Sequence, residues 1–517
     1  MMITAPTDNL ASLRRINSPL VLTRGGEVDL LTSVADIQPG SGLVLPCSLG
    51  SLGDQEFCLA HGLSYPYVGG SMAKGISSVA MVEALGREGM LGFFGAAGLL
   101  PDQVETAIDQ LQTSLENALF GCNLIHSPHE PELEEALVDL FLRRGIHLIE
   151  ASAFLDLTPA LVRYRTHGIH RDQTGQIVTP NRIIAKVSRE EVAAKFMAPS
   201  PDKVLGELVN RGVLSAEQAA LAAQVPMAED ITAEADSGGH TDNRPALALL
   251  PTIQSQRFHV QQQYGYRQPL RVGLGGGIGT PAAAAAAFAM GADYLVTGTF
   301  NQACIESGSS DPVRQLLAET RQADVTMAPS GDMFEMGVTV QVIKRGTMFP
   351  MRAARLYELY RSCSSLDDIP AAERQKLEKT VFQKSLNEVW DETRRYFLDR
   401  NPDQVRKAEQ DQKHKMALVF RWYLGQSPVW ANQGLPERRL DYQVWCGPAM
   451  GAFNEWVKGS FLEPLDQRRV ATVALNILFG SAVLTRFRQF RQQGGQLADD
   501  SAVTAPLRIE QIKEYLS

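Results

Sequence analysis

The sequence predicts an α/β fold, a parallel (β/α)8 TIM barrel extended by a helical C-terminal region, and three observations predict it. Short apolar runs of β type alternate with helical patterns eight times between Tyr65 and Ala323. Several of these runs end in glycine or other small residues. The last two end in paired glycine loops, where a barrel of this kind holds a phosphate after strands seven and eight. The chain has 517 residues, 44% of them hydrophobic, enough for one barrel and an appendage.

Residues 1–64 are rich in Pro, Gly and Ser and read as an N-terminal lead-in, with Leu20–Thr23 and Gly42–Leu45 as short strands. The barrel is expected over 65–325. Strand one is Tyr65–Val68, followed by helix Val79–Glu88; strand two is Met90–Phe94, followed by helix Pro101–Ala118. Strand three is Phe120–Ile125, with helix Glu130–Arg144; strand four is Ile146–Glu150, with the short helix Pro159–Arg165. Strand five is Arg182–Val187 and strand six Ile231–Glu234. Between them, at about 190–228, a helical insertion carries patterns at Asp202–Arg211 and Ser215–Ala223, read as a packed pair in preference to a substrate-facing lid. Asp311–Ala323 closes the barrel, and 326–517 reads as mostly helical, packed on it.

Strands seven and eight lie in RVGLGGGIGTPAAAAAAFAMGADYLVTGT, Arg271–Thr299. Thr280 suits an N-cap and Pro281 the first helical position. Glycine lets an anion approach backbone N–H groups, and the helix N-terminus adds positive partial charge. A Rossmann site needs a third glycine where Ile278 stands, and an acid at the end of the second strand, where Thr297-Gly298-Thr299 stands instead. A tight turn that binds nothing is the competing reading; two adjacent glycine loops favour a phosphate cradle.

The net charge of −9 argues against a nucleic-acid backbone as main partner. No run of 18 or more apolar residues suggests a membrane span, and the N-terminus lacks a secretory pattern. Six scattered cysteines without a C-x-x-C pair fit a reducing cytoplasm. At the end of strand six, Glu234-Ala235-Asp236-Ser237-Gly238-Gly239-His240 puts two glycines beside a histidine able to transfer a proton near neutral pH. Alone, His240 reads as a plain loop histidine; beside the cradle it reads as functional. Cys446 in Trp445-Cys446-Gly447-Pro448 reads as a buried structural thiol.

In order along the chain, PYVGGSMAKGIS, GFFGAAG, EADSGGHTDNRP, GGGIGTP and TGTFNQ resemble the flavin-dependent nitronate monooxygenase and enoyl-reductase superfamily. EASAFLDLTPALVRYR, MAPSGDMFEMG, VQVIKRGTMFP and DYQVWCGPAMGAFNEWVKGSFLEP resemble its PfaD-type branch, the trans-acting enoyl reductases of polyunsaturated-fatty-acid and polyketide synthases. The resemblance covers Leu20 to Gly494 and implies FMN at the barrel mouth. Its phosphate would lie on Gly275, Gly276, Gly277, Gly298 and Thr299, its ring near Met72, Ala73, Gly75, Asn123 and Lys186, with Ser237, Gly238 and Gly239 alongside. Lys186 would face the reduced flavin with positive charge and Asn123 would bond its polar edge; an ion pair and a loop cap are the competing roles.

The implied reaction takes hydride from NADPH by way of FMN to the β-carbon of an enoyl thioester, with His240 as proton donor or as the group that holds the thioester carbonyl. Water competes as donor, and Asp236 would orient either the loop or His240. The implied partners are an acyl carrier protein and the other synthase components. Lys344, Arg345, Arg352 and Arg355, or Arg486, Arg488 and Arg491, are candidate contacts against the plainer reading of solvated faces. A homodimer is left open. Oxidation of small nitro compounds is the alternative activity, and a non-catalytic scaffold a further one.

Overall fold

The computed structural model describes residues 9–22, 28–31, 41–116, 119–126, 130–497 and 500–516. Thr23 and the last residues of the helix expected to reach Ala118 lie outside them. Eight parallel strands close into a barrel: Tyr67–Gly69, Leu91–Phe94, Gly121–Ile125, Leu148–Ser152, Arg182–Val187, Asp230–Glu234, Arg271–Gly275 and Leu295–Thr297. The last pairs with the first through Leu295 and Tyr67, Val296 and Val68, and Thr297 and Gly69. The strands are buried on both faces, as a parallel sheet wrapped in helices requires. Ahead of strand eight, the Asp293 carboxylate takes the Val272 N–H at 2.5 Å and its carbonyl takes the Asp54 N–H at 2.8 Å.

The barrel interior is packed with Val68, Leu91, Phe93, Leu148, Ile184, Tyr294 and Val296. Gly273 is there for space: a Cβ would sit 2.4 Å from the Tyr294 ring. The N-terminal end is plugged by helix Gln55–His61, whose Phe57 stacks on Tyr294 at 4.2 Å between centroids. Below it Asp230 accepts from Arg271 Nε at 2.6 Å and lies 2.9 Å from His61 Nε2. Burial works against that carboxylate's charge, but His61 and Arg271 hold it well below the usual range. With this end sealed, chemistry is left to the strand C-termini.

The region between strands five and six resolves into two parts. Helix Glu190–Met197 packs on the barrel strands as the ordinary crossover. Asp202–Asn210 and Ala216–Ala222 pack on helix Pro159–Thr166 and line no part of the cavity at the barrel mouth, so the packed-pair reading holds against the lid. Ser215 and Gln218 cap the second helix reciprocally at 3.1 and 3.0 Å.

After the barrel the expectation of a mostly helical chain needs one correction. Val325–Pro329 and Thr339–Ile343 form an antiparallel hairpin, and the two-residue strand Gly239–His240 joins it as a third strand. β-branched Val338-Thr339-Val340 and Val342-Ile343 favour this extended pairing. Val342 also bridges to Trp445. Long helices come next, among them Leu386–Arg400, Gln412–Gln433 and Val470–Gln492. The last is long and apolar enough to cross a membrane by length and composition, yet 89% of that window is buried inside the protein. It packs on helix Pro281–Ala289 so closely that a Cβ on Gly480 would lie 2.7 Å from Pro281. Near its end, buried Arg486 donates to the carbonyls of Ile16 at 2.9 Å and Ser18 at 2.8 Å, tying the lead-in to the far end of the chain.

Candidate active site

At the C-terminal ends of the barrel strands lies a cavity of about 1150 Å³, walled on one side by barrel loops and on the other by the hairpin and C-terminal helices. It is lined by Met72, Ala73, Asn123, Lys186, Ser237, Gly238, Gly239, His240, Gly275, Gly276, Gly277, Gly298 and Thr299. Of the expected site residues, only Gly75 is outside this lining. Its N–H is spent on the Gly95 carbonyl at 2.9 Å, and its own carbonyl lies where a Cβ on Gly308 would sit, 2.1 Å away. Gly75 therefore builds the wall behind the cavity.

The glycines of the cradle divide by function. Gly276 and Gly277 have φ of +84° and +73°, which L side chains rarely adopt. A Cβ on Gly276 would strike the Ala235 carbonyl carbon at 2.7 Å, so this glycine serves packing between the loops after strands six and seven. At Gly277 a Cβ would meet nothing within 4 Å, and at Gly298 only Met72 Cγ at 3.9 Å. These two leave open space over the helix N-terminus, where the Thr280 hydroxyl caps the Ala283 N–H at 3.2 Å. Thr299 Oγ1 accepts from Gly447 N–H at 3.4 Å.

In the loop after strand six, Gly238 lines the cavity and also meets the protein's own backbone. A Cβ there would lie 2.8 Å from the Cys446 backbone nitrogen, and one on Gly447 2.9 Å from the Gly238 nitrogen. Gly238 is thus required by the protein's own backbone in the Trp445–Pro448 loop. Cys446 is fully buried, and burial raises its thiol above the usual range, as a structural cysteine should be. Asp236 accepts from Gln341 Nε2 at 2.7 Å and Asn243 Nδ2 at 2.9 Å, so it orients the loop rather than His240.

His240 has partners that linear sequence did not reveal. Its Nε2 lies 3.2 Å from Asp332 and 3.2 Å from Ser330 Oγ, and Ser330 donates to Asp332. Burial disfavours charge on the ring. Asp332, by hydrogen bond and by charge, more than offsets this and is helped by Glu234, so His240 keeps its proton to higher pH than an ordinary histidine. The reciprocal effect holds Asp332 below the usual carboxylate range despite its own desolvation. The run MAPSGDMFEMG contains both partners, but no spacing ties them to His240.

Lys186 lines the cavity and is also ion-paired, with Nζ 3.3 Å from Glu234. Burial opposes its charge, but Glu234 and the fully buried Glu150 hold it protonated above the ordinary lysine range. Glu150 Oε2 accepts from Ser71 N–H at 3.1 Å, while its Oε1 has no partner among the described residues. Asn123 accepts the Ala97 N–H at 3.0 Å, a loop cap within the cavity wall. Both competing roles are therefore real and coexist with a place at the site.

Of the basic residues expected to meet a carrier protein, Lys344 and Arg488 are exposed with no ion pair among the described residues, and the others are engaged within the chain. Arg352 pairs with buried Asp441, Arg355 with Glu358 and Glu373, Arg345 with Asp324 and Arg491 with Asp500. Arg486 is wholly buried, which pushes its guanidinium down to about 10. It cannot face a partner.

Known proteins share this geometry and this sequence. Residues 363–442 match the family described as acyl-carrier-protein S-malonyltransferase, inserted helical domain. One of the polyunsaturated fatty acid synthase subunits of Thraustochytrium sp. is 47% identical over 487 residues, 93% of this chain and 32% of that protein. Polyketide biosynthesis protein PksE of Bacillus subtilis is 44% identical over 439 residues, 85% of this chain and 57% of that protein. The chain thus spans only part of the length of these relatives. The crystal structure of the enoyl reductase domain of MlnA, from the macrolactin biosynthesis cluster of Bacillus amyloliquefaciens, superposes with a TM-score of 0.82 at 38% identity. That match covers 86% of this chain and 100% of the MlnA chain. The closed parallel barrel, the paired glycine loops and the histidine loop thus sit in a chain that belongs to the PfaD-type enoyl reductases.

Proposed function

We propose that this chain is an FMN-dependent, NADPH-using, trans-acting enoyl reductase. It reduces the α,β-double bond of enoyl thioesters on an acyl carrier protein, alongside polyketide or polyunsaturated fatty acid synthase components in the cytoplasm. The observation that carries this reading is one cavity holding both open space over Gly277 and Gly298 and a histidine whose proton is secured by Asp332. The residues present fit FMN: the cradle would take the phosphate on backbone N–H groups at a helix N-terminus, and Lys186 would set positive charge beside the ring. When bound, FMN supplies hydride chemistry at the β-carbon of the thioester.

The chain's own residues do the rest. His240 holds a proton for the α-carbon, and the same ring can steady the carbonyl oxygen as negative charge develops. Asp332 and Ser330 fix the ring and keep it charged. Lys186, braced by Glu234, keeps a positive charge in the cavity wall. Trp422 and Trp445 on the C-terminal side restrict water.

The test is anaerobic mixing of the FMN-loaded protein with NADPH, then addition of crotonyl and longer enoyl carrier thioesters with mass spectrometry of the product. Rapid flavin bleaching and a gain of two hydrogens are expected. No bleaching would turn the reading to nitronate oxidation, and a colourless protein that takes up no FMN to a scaffold.

A further inference from the structure

Five lysines and arginines line the cavity, and three of them are answered by a carboxylate: Lys186 by Glu234, Arg189 by Asp242 and Arg421 by Glu335. Lys74 and Arg400 are not in an ion pair among the described residues. They come from different parts of the fold. Lys74 follows the first barrel strand with φ +58°, a backbone conformation that L residues rarely adopt. Its chain runs across Gly98, where a Cβ would sit 3.3 Å from Lys74 Cγ and 3.8 Å from Nζ; the glycine leaves the lysine its room.

Gly98 leads into helix Pro101–Ser114, and Gly98, Leu100 and Gln103 line the cavity beside Lys74. The N-cap of this helix is Leu100, which has no oxygen to offer the first turn; Gln103 reaches back only to the Leu100 N–H at 3.0 Å. Asp102 stands in the same first turn but is exposed and outside the cavity lining, so positive partial charge of the helix remains on the cavity side. Arg400, in the same lining, ends helix Leu386–Arg400, with its guanidinium 4.2 Å from the Tyr396 ring centroid and a hydrogen bond to the neutral Tyr396 hydroxyl. Burial lowers the Lys74 ammonium first, the Arg400 charge lowers it further, and only Glu130 opposes them. Two like charges in one cavity lining are stabilised by an anion between them.

We propose that Lys74, Arg400 and the first turn of helix Pro101–Ser114 form a second anion subsite, separate from the glycine cradle, that takes a phosphate ester of a reactant. The phosphate belongs either to the nicotinamide dinucleotide donor or to the phosphopantetheine arm that carries the acyl thioester. The choice of these two sources rests on the enoyl-reductase reading; the subsite itself rests on the charges. Barrel and helical region each contribute one cation, so a reactant phosphate would be clamped between them.

The test is calorimetric titration of the FMN-loaded full chain with adenosine 2′,5′-bisphosphate, with 4′-phosphopantetheine, and with adenosine 5′-monophosphate and pantetheine as counterparts lacking the relevant phosphate. Wild type should bind at least one of the first two more tightly than its counterpart. Lys74→Met and Arg400→Gln should each weaken that probe about tenfold or more, the worth of a hydrogen bond to a charged group. Binding of the counterparts and FMN content should stay unchanged. The probe affected names the source. Arg400 is exposed, so its variant serves even where Lys74→Met folds poorly. Phosphate probes that bind no better than their counterparts, or that bind both variants as they bind wild type, would overturn the proposal. Because binding is read without turnover, that failure is distinct from a failure to reduce enoyl thioesters, which the product masses report.

Discussion

Replacing Gly277 by aspartate tests the cradle where the structure makes the sharpest statement. A Cβ at this position meets no protein atom within 4 Å, so the fold itself has room for a side chain. The backbone penalty at φ +73° is about 1–2 kcal/mol for a residue with a Cβ, and the cofactor-free protein should stay folded with a modestly lower melting temperature. The effect on FMN should be far larger. A carboxylate about 4 Å from one phosphate charge in a partly solvated site is worth about 4 kcal/mol of repulsion. That corresponds to about a thousandfold in the dissociation constant. Gly277→Asn matches the volume and tolerates the left-handed backbone without the charge, so the Asp-to-Asn ratio isolates the electrostatic part. The assay is flavin absorbance per protein after purification, followed by fluorescence titration of the stripped protein with FMN. Gly277→Asp carrying full FMN at wild-type affinity would refute the placement of the phosphate.

Three further outcomes rest on the same geometry. His240→Ala should retain FMN while enoyl turnover falls about 10²–10⁴-fold, the usual contribution of a positioned general acid; turnover at the wild-type rate would remove His240 from the chemistry. Asp332→Asn removes the carboxylate that keeps His240 protonated, so the ring loses its proton at lower pH. The alkaline limb of the kcat profile should move to lower pH with the FMN content unchanged, and a limb that stays in place would point to another proton donor. Gly238→Ala drives a Cβ to 2.8 Å from the Cys446 nitrogen and should cost about 1–3 kcal/mol as an overpacked contact; a thermal melt identical to wild type would show that the two loops part freely.

The barrel was readable because each strand repeats one local signal, an apolar β-type run followed by a helical pattern. Arg182–Val187 falls on its predicted run, and Tyr67–Gly69 within two residues of its own. The paired glycine loops were readable because tight turns at strand ends and glycine are linked by a local rule. Contacts between distant segments were not. Gly238 reads in isolation as a ligand glycine, yet the Cys446–Gly447 backbone, far away in sequence, is what demands it. Arg486 looked like part of a basic surface because it neighbours Arg488 and Arg491, but its helix turns it to the carbonyls of Ile16 and Ser18. The Thr339–Ile343 strand did carry a β-branched signal, overridden by the helical character of the long C-terminal segment next to it. Asp332 is 92 positions from His240, and only the hairpin brings them together.

The pairing of Gly239–His240 with Thr339–Ile343 sets the smallest portable unit of this protein. A barrel excised near residue 325 would keep its paired glycine loops but leave its histidine without a counter-charge and its strand-six loop without the Trp445–Pro448 backing. Any transplant of this site would need to carry the chain through at least Pro448.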